Sequence, residues 1–66
     1  MHIELFKLIE FKKRWFNGEF GQQRLGQAFY NHMNLHKLSD QDALNNLYEL
    51  DGHEAVNMIN TLFTFN

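Results

Sequence analysis

Two histidines one helical turn apart are the residues best placed for metal chemistry. His32 and His36 stand at i and i+4, the spacing at which a helix can present two imidazoles to one zinc ion. A zinc site also needs a third and usually a fourth ligand, and the chain has no Cys to supply one. Because His32 also lies on an apolar stripe, we interpret it as a core or interface histidine. We expect neither a metal nor another cofactor.

Catalytic chemistry has little support in the side chains available. Ser39 is the one Ser of the chain, and the acidic residues cluster where helices are predicted to begin. Helix caps and helix dipoles account for a hydroxyl or a carboxylate at such positions. A chain of 66 residues also has little volume in which to form a substrate pocket. We therefore expect a protein that is not an enzyme.

A hydrogen-bonding face is predicted within residues 24–34. The polar residues of this segment recur at helical spacing and share one side of a helix: Arg24, Gln27, Asn31 and Asn34. Gly26 lies inside this helix, where Gly costs about 1 kcal/mol relative to Ala, so we expect another backbone to approach closely there. Since Gly26 adjoins Tyr30 on the helix surface, a partner helix is one interpretation. A solvated surface with a Gln27–Asn31 pair is the other.

Charge is divided unevenly along the chain. Residues 1–37 carry six basic and three acidic residues, a formal charge of +3, whereas residues 38–66 carry five acidic residues and no basic one. One basic cluster has the residue types that contact a nucleic-acid backbone, stack on bases or dock on an anionic membrane: Lys12, Lys13, Arg14, Trp15 and Phe16. That cluster is a small basic surface for a nucleic-acid-binding protein, and the net charge of the chain is −2. A nucleic-acid-binding regulator that uses these residues and Arg24 is therefore an alternative.

One of two surfaces is predicted to contact a partner protein, either the hydrogen-bonding face or the acidic C-terminal face. The residues expected to bind are Arg24, Gln27, Tyr30, Asn31, Asn34, Asp40, Asp42 and Glu49. An acidic face can also imitate nucleic acid and occupy the basic groove of another protein. That mimicry is the second alternative for the function.

The elements that must position these residues are all helices. Apolar spacing predicts helices over about 3-16, 20-35, 40-50 and 52-63, within a single helical domain of residues 1-66. Ser39 and Asp51 are predicted N-caps, each with an acid three residues later, and Asn17-Gly18 predicts the end of the first helix. No strand pattern is present. The fold class is therefore all-α, a compact bundle of three to four short helices.

The first predicted helix is apolar around more than half of its circumference. Its apolar residues are Leu5, Phe6, Leu8, Ile9, Phe11, Trp15 and Phe16. A helix of this kind is central in its domain or buried on two sides. We therefore expect the first helix to be central, and the width of its apolar arc motivates a homodimer as a further prediction.

Nothing in the chain indicates a membrane segment. No apolar run approaches the roughly 18 residues of a membrane-spanning helix. Charged residues near the N-terminus interrupt any signal peptide, beginning with Glu4 and Lys7. With no Cys either, we expect a cytoplasmic protein that has no membrane partner.

One string of residues resembles a known group of proteins. Arg24-Leu25-Gly26-Gln27-Ala28-Phe29, followed by Asn31 and then by Leu47-Tyr48-Glu49-Leu50-Asp51, resembles small uncharacterised proteins of bacteriophages and prophages. The resemblance covers about residues 11–59 and implies no catalytic residue. It implies a setting in which small phage proteins bind a host protein and inhibit or redirect it. The function hypothesis is therefore a non-enzymatic, phage-derived module that binds a host protein in the bacterial cytoplasm.

Overall fold

Four α-helices account for most of the computed structural model, which describes all 66 residues. They are α1 (Leu5–Phe16), α2 (Leu25–His32), α3 (Gln41–Tyr48) and α4 (Gly52–Leu62). A short 3-10 turn, Leu35–Lys37, follows α2. Two strands of two residues each, β1 (His2–Ile3) and β2 (Thr64–Phe65), complete the fold. The predicted all-α bundle of short helices is confirmed.

The parallel pairing of β1 with β2 was not predicted. His2 pairs with Thr64 and Ile3 pairs with Phe65, and the Leu5 amide extends the contact by donating to the Asn66 carbonyl at 3.0 Å. Strands of two residues are too short to show an alternating pattern, and their pairing joins the two ends of the chain. The pairing also explains why α1 begins at Leu5 and not at residue 3.

The predicted end of the first helix is confirmed. Asn17 is the C-cap of α1, and Gly18 follows with φ +76°. The Gly18 amide donates to the Trp15 carbonyl at 3.1 Å, and the Glu19 amide donates to the Arg14 carbonyl at 3.1 Å. These two bonds are the Schellman motif, which satisfies the last carbonyls of a helix.

The centre of the bundle is α2, so the prediction that the first helix is central is wrong. Within α2, Ala28 and Phe29 are fully buried, and the helix packs against both α3 and α4. By contrast, α1 contributes a single buried residue, Phe11. The small residues of α2 allow two neighbours to approach it, whereas the apolar arc of α1 is wider than the surface that the bundle offers it.

Helix α2 is shorter than the predicted span of 20-35. It begins at Leu25 because the chain turns before that point, with Gly21 at φ +62°. It ends at His32, and Asn34 adopts the left-handed conformation with φ +56°. Arg24 therefore lies just before the helix and Asn34 just after it, so the predicted hydrogen-bonding face is not one continuous helix face.

The predicted N-cap is wrong for α3 and is confirmed for α4. Ser39 does not cap α3, because Asp40 occupies the N-cap position and its side chain makes no capping hydrogen bond. The Gln41 side chain instead donates to the Leu35 and Leu38 carbonyls and holds the start of α3 against the 3-10 turn. Asp51 is the N-cap of α4, as predicted, and its Oδ1 accepts the Gly52 amide at 2.9 Å.

The backbone approach expected at Gly26 is present, and it comes from the same chain. The Gly26 amide donates to the Leu50 carbonyl at 3.0 Å. A Cβ atom at Gly26 would collide with the Leu47 carbonyl oxygen and would lie 2.8 Å from the Leu50 oxygen. Only Gly therefore allows the start of α2 to cross the end of α3 at this distance.

A single carboxylate caps two helices at this crossing. Asp51 Oδ1 accepts the Leu25 amide at 2.9 Å in addition to the Gly52 amide, so it bonds the first residue of α2 as well as that of α4. These two hydrogen bonds lower the pKa of Asp51. Arg24, the N-cap residue of α2, has no side-chain capping bond of its own, and Asp51 supplies that cap from across the bundle.

Replacing Gly26 with Ala should lower the free energy of unfolding by about 3 kcal/mol or more, because the backbone of α3 must move away. Gly18→Ala is the matched control. Gly18 has nothing within 4 Å, so that change costs only the left-handed strain of about 1–2 kcal/mol. Urea unfolding followed by circular dichroism measures both. A Gly26→Ala protein as stable as the control would contradict the close crossing.

Replacing Asp51 with Asn should lower stability at neutral pH and weaken its dependence on acid. Since the folded-state pKa of Asp51 is lowered, the carboxylate stabilises the fold above the ordinary Asp value and loses this effect as the pH falls through the folded value. Asp42→Asn is the control, because Asp42 lies in the first turn of α3 and accepts no backbone hydrogen bond. Equal acid unfolding of Asp51→Asn and the wild type would refute this role.

Candidate interaction surface

Four of the predicted partner-binding residues make hydrogen bonds or an ion pair between α2 and α3 or at their ends, namely Arg24, Gln27, Tyr30 and Glu49. Gln27 Nε2 donates to the Tyr48 hydroxyl at 3.1 Å, and the Tyr30 hydroxyl donates to Gln41 Oε1 at 2.8 Å. The rings of Tyr30 and Tyr48 meet edge to face, with their centroids 5.3 Å apart. Arg24 Nη2 lies 3.5 Å from Glu49 Oε2. This side of α2 is therefore joined to α3 by specific contacts.

The other predicted residues are exposed and do not form one cluster. Asn31 Nδ2 donates to Gln23 Oε1 at 3.2 Å, and the expected Gln27–Asn31 pair is absent. Asn34 lies in the turn after α2. Asp40 and Asp42 are exposed at the start of α3, whereas Glu49 lies at its other end, about 13 Å along the helix axis. Binding of a partner by these residues stays a prediction.

His32 is half-buried beside the aromatic core, which partly matches its interpretation as a core or interface histidine. Its ring lies 5.6 Å from the ring of Phe11 and 5.8 Å from that of Phe20, measured between centroids. Burial lowers the pKa of His32, the charge of Arg14 lowers it further, and Glu10 opposes the change. His36 is exposed on the 3-10 turn. No group of three or more His, Asp or Glu residues is arranged to hold a metal ion.

The largest exposed apolar side chains lie on α1, where sequence reasoning placed core residues. Leu5 is 45% exposed, Phe6 58%, Ile9 49% and Phe16 84%. We call these four residues, together with Lys12 and Lys13, the outer face of α1. The width of the apolar arc was visible in the sequence. Periodicity alone could not show that the bundle covers only the side of α1 that carries Phe11.

A groove of about 310 Å³ lies beside this face, between α1 and α4. Its floor contains the buried residues Phe11, Phe29 and Ile59. Further residues line it from the two helices and from the start of α2: Leu8, Lys12, Trp15, Phe16, Leu25, Val56 and Asn60. A second depression, of about 390 Å³, is lined by Ile9, Lys12, Lys13, Phe16 and Asn17. Phe16 and Lys12 therefore border both depressions.

The charges at these two depressions are unbalanced. Neither depression is lined by an acidic residue. Lys12 and Lys13 are exposed and have no carboxylate within 4.0 Å, whereas Arg14 lies 3.4 Å from Glu10 and 4.0 Å from Glu19. Two of the three unpaired lysines of α1, Lys12 and Lys13, therefore lie between Ile9 and Phe16 in the sequence of the helix, and the third, Lys7, lies nearer its start.

Comparison with protein-family models, with curated proteins and with solved structures finds no match for this chain. No helix has the combination of length and apolar composition needed to cross a membrane.

The free energy of unfolding should decrease as the pH is lowered from about 7 to about 5, because His32 becomes protonated more readily in the unfolded chain. The folded-state pKa of His32 lies below its ordinary value, so the unfolded chain binds the proton more readily in this range. His32→Gln should flatten this part of the stability profile, and His36→Gln should leave it unchanged because His36 is exposed. Unfolding by urea at several pH values measures the slope. An unchanged slope in His32→Gln would show that another group causes it.

Proposed function

We propose that this protein is a small protein-binding module without enzymatic activity and that the outer face of α1 is its docking surface. The observation that carries the proposal is the exposure of four large apolar side chains on one helix, with Phe16 84% exposed. Contiguous exposed apolar surface in a small protein marks a site of interaction. Covering this surface favours a complex because apolar area is removed from water, and this gain is partly offset by the freedom that is lost on association.

The partner that we propose is a protein of a bacterial host, which the module inhibits or redirects in the cytoplasm. The resemblance of the Arg24–Phe29 string to small phage proteins supports this setting. The docking surface differs from the surfaces expected from the sequence. A partner that used Gln27 and Tyr30 would have to break their hydrogen bonds to α3, whereas the outer face of α1 is already exposed.

The ion pairs of the structure weaken the two alternative functions. A nucleic-acid regulator would use Lys12, Lys13, Arg14 and Arg24, but both arginines are paired with glutamates of the chain. A nucleic-acid mimic would need a continuous acidic face. Glu49 lies at the opposite end of α3 from Asp40 and Asp42, and its charge is shared with Arg24. Both alternatives therefore have less support than protein binding.

A comparison of three baits on bacterial lysate tests the proposal. The wild type should retain a host protein from the lysate. The double variant Ile9→Ser/Phe16→Ser should not retain it, because this variant removes exposed apolar surface from α1. The double variant Asp40→Asn/Asp42→Asn should retain it as the wild type does. The retained protein is then purified and titrated by calorimetry. Phe16→Ser should weaken a one-to-one complex about tenfold or more, as for a central contact residue.

Two results would contradict the proposal. One is equal retention of the host protein by the wild type and by Ile9→Ser/Phe16→Ser. The other is a loss of binding only in Asp40→Asn/Asp42→Asn, which would transfer the site to α3. Circular dichroism of each bait establishes that the helices are intact, since all four substituted side chains are at least partly exposed.

A further inference from the structure

The groove between α1 and α4 has a largely apolar lining. Residues of both helices contribute to it, among them Leu8, Trp15 and Phe16 of α1 and Val56 of α4. Apolar grooves bordered by helices commonly receive the apolar stripe of an amphipathic helix, whose anchors recur every three or four residues. The exposed aromatic ring of Phe16 continues the apolar surface from this groove into the second depression.

The positive charge beside the groove indicates which groups an occupying helix should carry next to its apolar stripe. Lys12 lines both depressions, Lys13 lines the second, and neither lysine has an ion pair within the chain. The aliphatic stem of a lysine can cover apolar surface while its ammonium group reaches the edge of a contact. The largest depression of the protein, about 610 Å³, is different because Glu4 and Glu10 line it together with Lys7. Only the two depressions beside Phe16 lack acidic groups.

A partner with acidic groups fits this surface better than a second copy of the chain does. A symmetric pairing of α1 with α1 places the same patch on both sides, and the outer face of α1 carries two lysines and no carboxylate, so the pairing would add like charges with no opposite charge to balance them. The acidic helix α3 could supply carboxylates to α1 of another copy, but none of the large exposed apolar side chains of the protein lies on α3. An occupant needs apolar and acidic groups on one element. In this chain, the exposed Glu10 of α1 is already paired with Arg14, and α4 exposes Glu54 beside a single large apolar side chain, Val56.

We propose that the docking element of the partner is an acidic amphipathic helix, an inference that rests on the proposed function. Its apolar residues enter the groove between α1 and α4 and cover Phe16. Its carboxylates pair with Lys12 and Lys13. The charge pairs select the partner and orient its helix, and the apolar contacts supply most of the affinity.

Two synthetic helical peptides test this inference. One has Leu at every third or fourth position and Glu beside the Leu stripe, and the other has Lys in place of each Glu. Fluorescence anisotropy should show that the wild type binds the Glu peptide at least tenfold more tightly than the Lys peptide. Raised salt should weaken the Glu complex, because exposed ion pairs are screened.

Substitutions in the protein test which of its residues contact the peptides. Phe16→Ser should weaken the Glu peptide about tenfold. Lys12→Glu should weaken it about fivefold or more and should improve binding of the Lys peptide. Lys37→Glu is the matched control, because Lys37 is an exposed lysine on the 3-10 turn and lines neither depression. It should leave both peptides unaffected.

Several outcomes would overturn the inference. Equal binding of the two peptides, or equal effects of Lys12→Glu and Lys37→Glu, would remove the charge complementarity. Binding to vesicles of equal parts phosphatidylcholine and phosphatidylglycerol, with no binding of the Glu peptide, would assign the face to an anionic membrane. A doubled mass in sedimentation that Phe16→Ser abolishes would assign it to a second copy. A host protein that binds through Phe16 while neither peptide binds would refute the acidic helix and leave the proposed function standing.

Discussion

The fold depends on the crossing of two backbones at Gly26. The start of α2 lies against the end of α3 so closely that the Leu47 and Leu50 carbonyls occupy the space of a side chain. At the same crossing, Asp51 accepts hydrogen bonds from the first amides of α2 and α4. Helix starts leave four amides without partners, and here the turn between α3 and α4 satisfies two of those in α2. Hydrogen bonds from backbone amides therefore join the start of α2 to the end of α3 and to the N-cap of α4, in addition to the packing of side chains.

Helix α1 is attached to this body in a different way. Phe11 is its one buried residue, and the ring packs against Phe29, Phe20 and His32 with centroid distances of 5.2, 5.2 and 5.6 Å. The paired strands hold its first residue, and the turn at Gly18 fixes its end. One buried ring leaves most of the helix surface free. The exposure of Leu5, Ile9 and Phe16 is the direct consequence.

Local signals in the sequence predicted the features that depend on local chemistry. Asn17-Gly18, the Asp51 cap and the unusual position of Gly26 were each predicted from the residue and its neighbours, and the structure contains all three. The second bond of Asp51 and the pairing of β1 with β2 join residues far apart in the chain, so no local pattern indicates them. The position of α1 could not be predicted for the same reason, because periodicity shows that a helix face is apolar without showing what covers it.

The contacts of the central helix explain why the proposed docking surface differs from the one expected from the sequence. Gln27 and Tyr30 are polar residues on a central helix, and burial requires that such groups find partners, which α3 provides. The outer face of α1 carries apolar groups that the chain leaves in water and lysines that it leaves unpaired. A partner helix in the groove between α1 and α4 would contact both of these helices at once. Binding would therefore stabilise the fold as well as form the complex, because the ligand favours the folded chain.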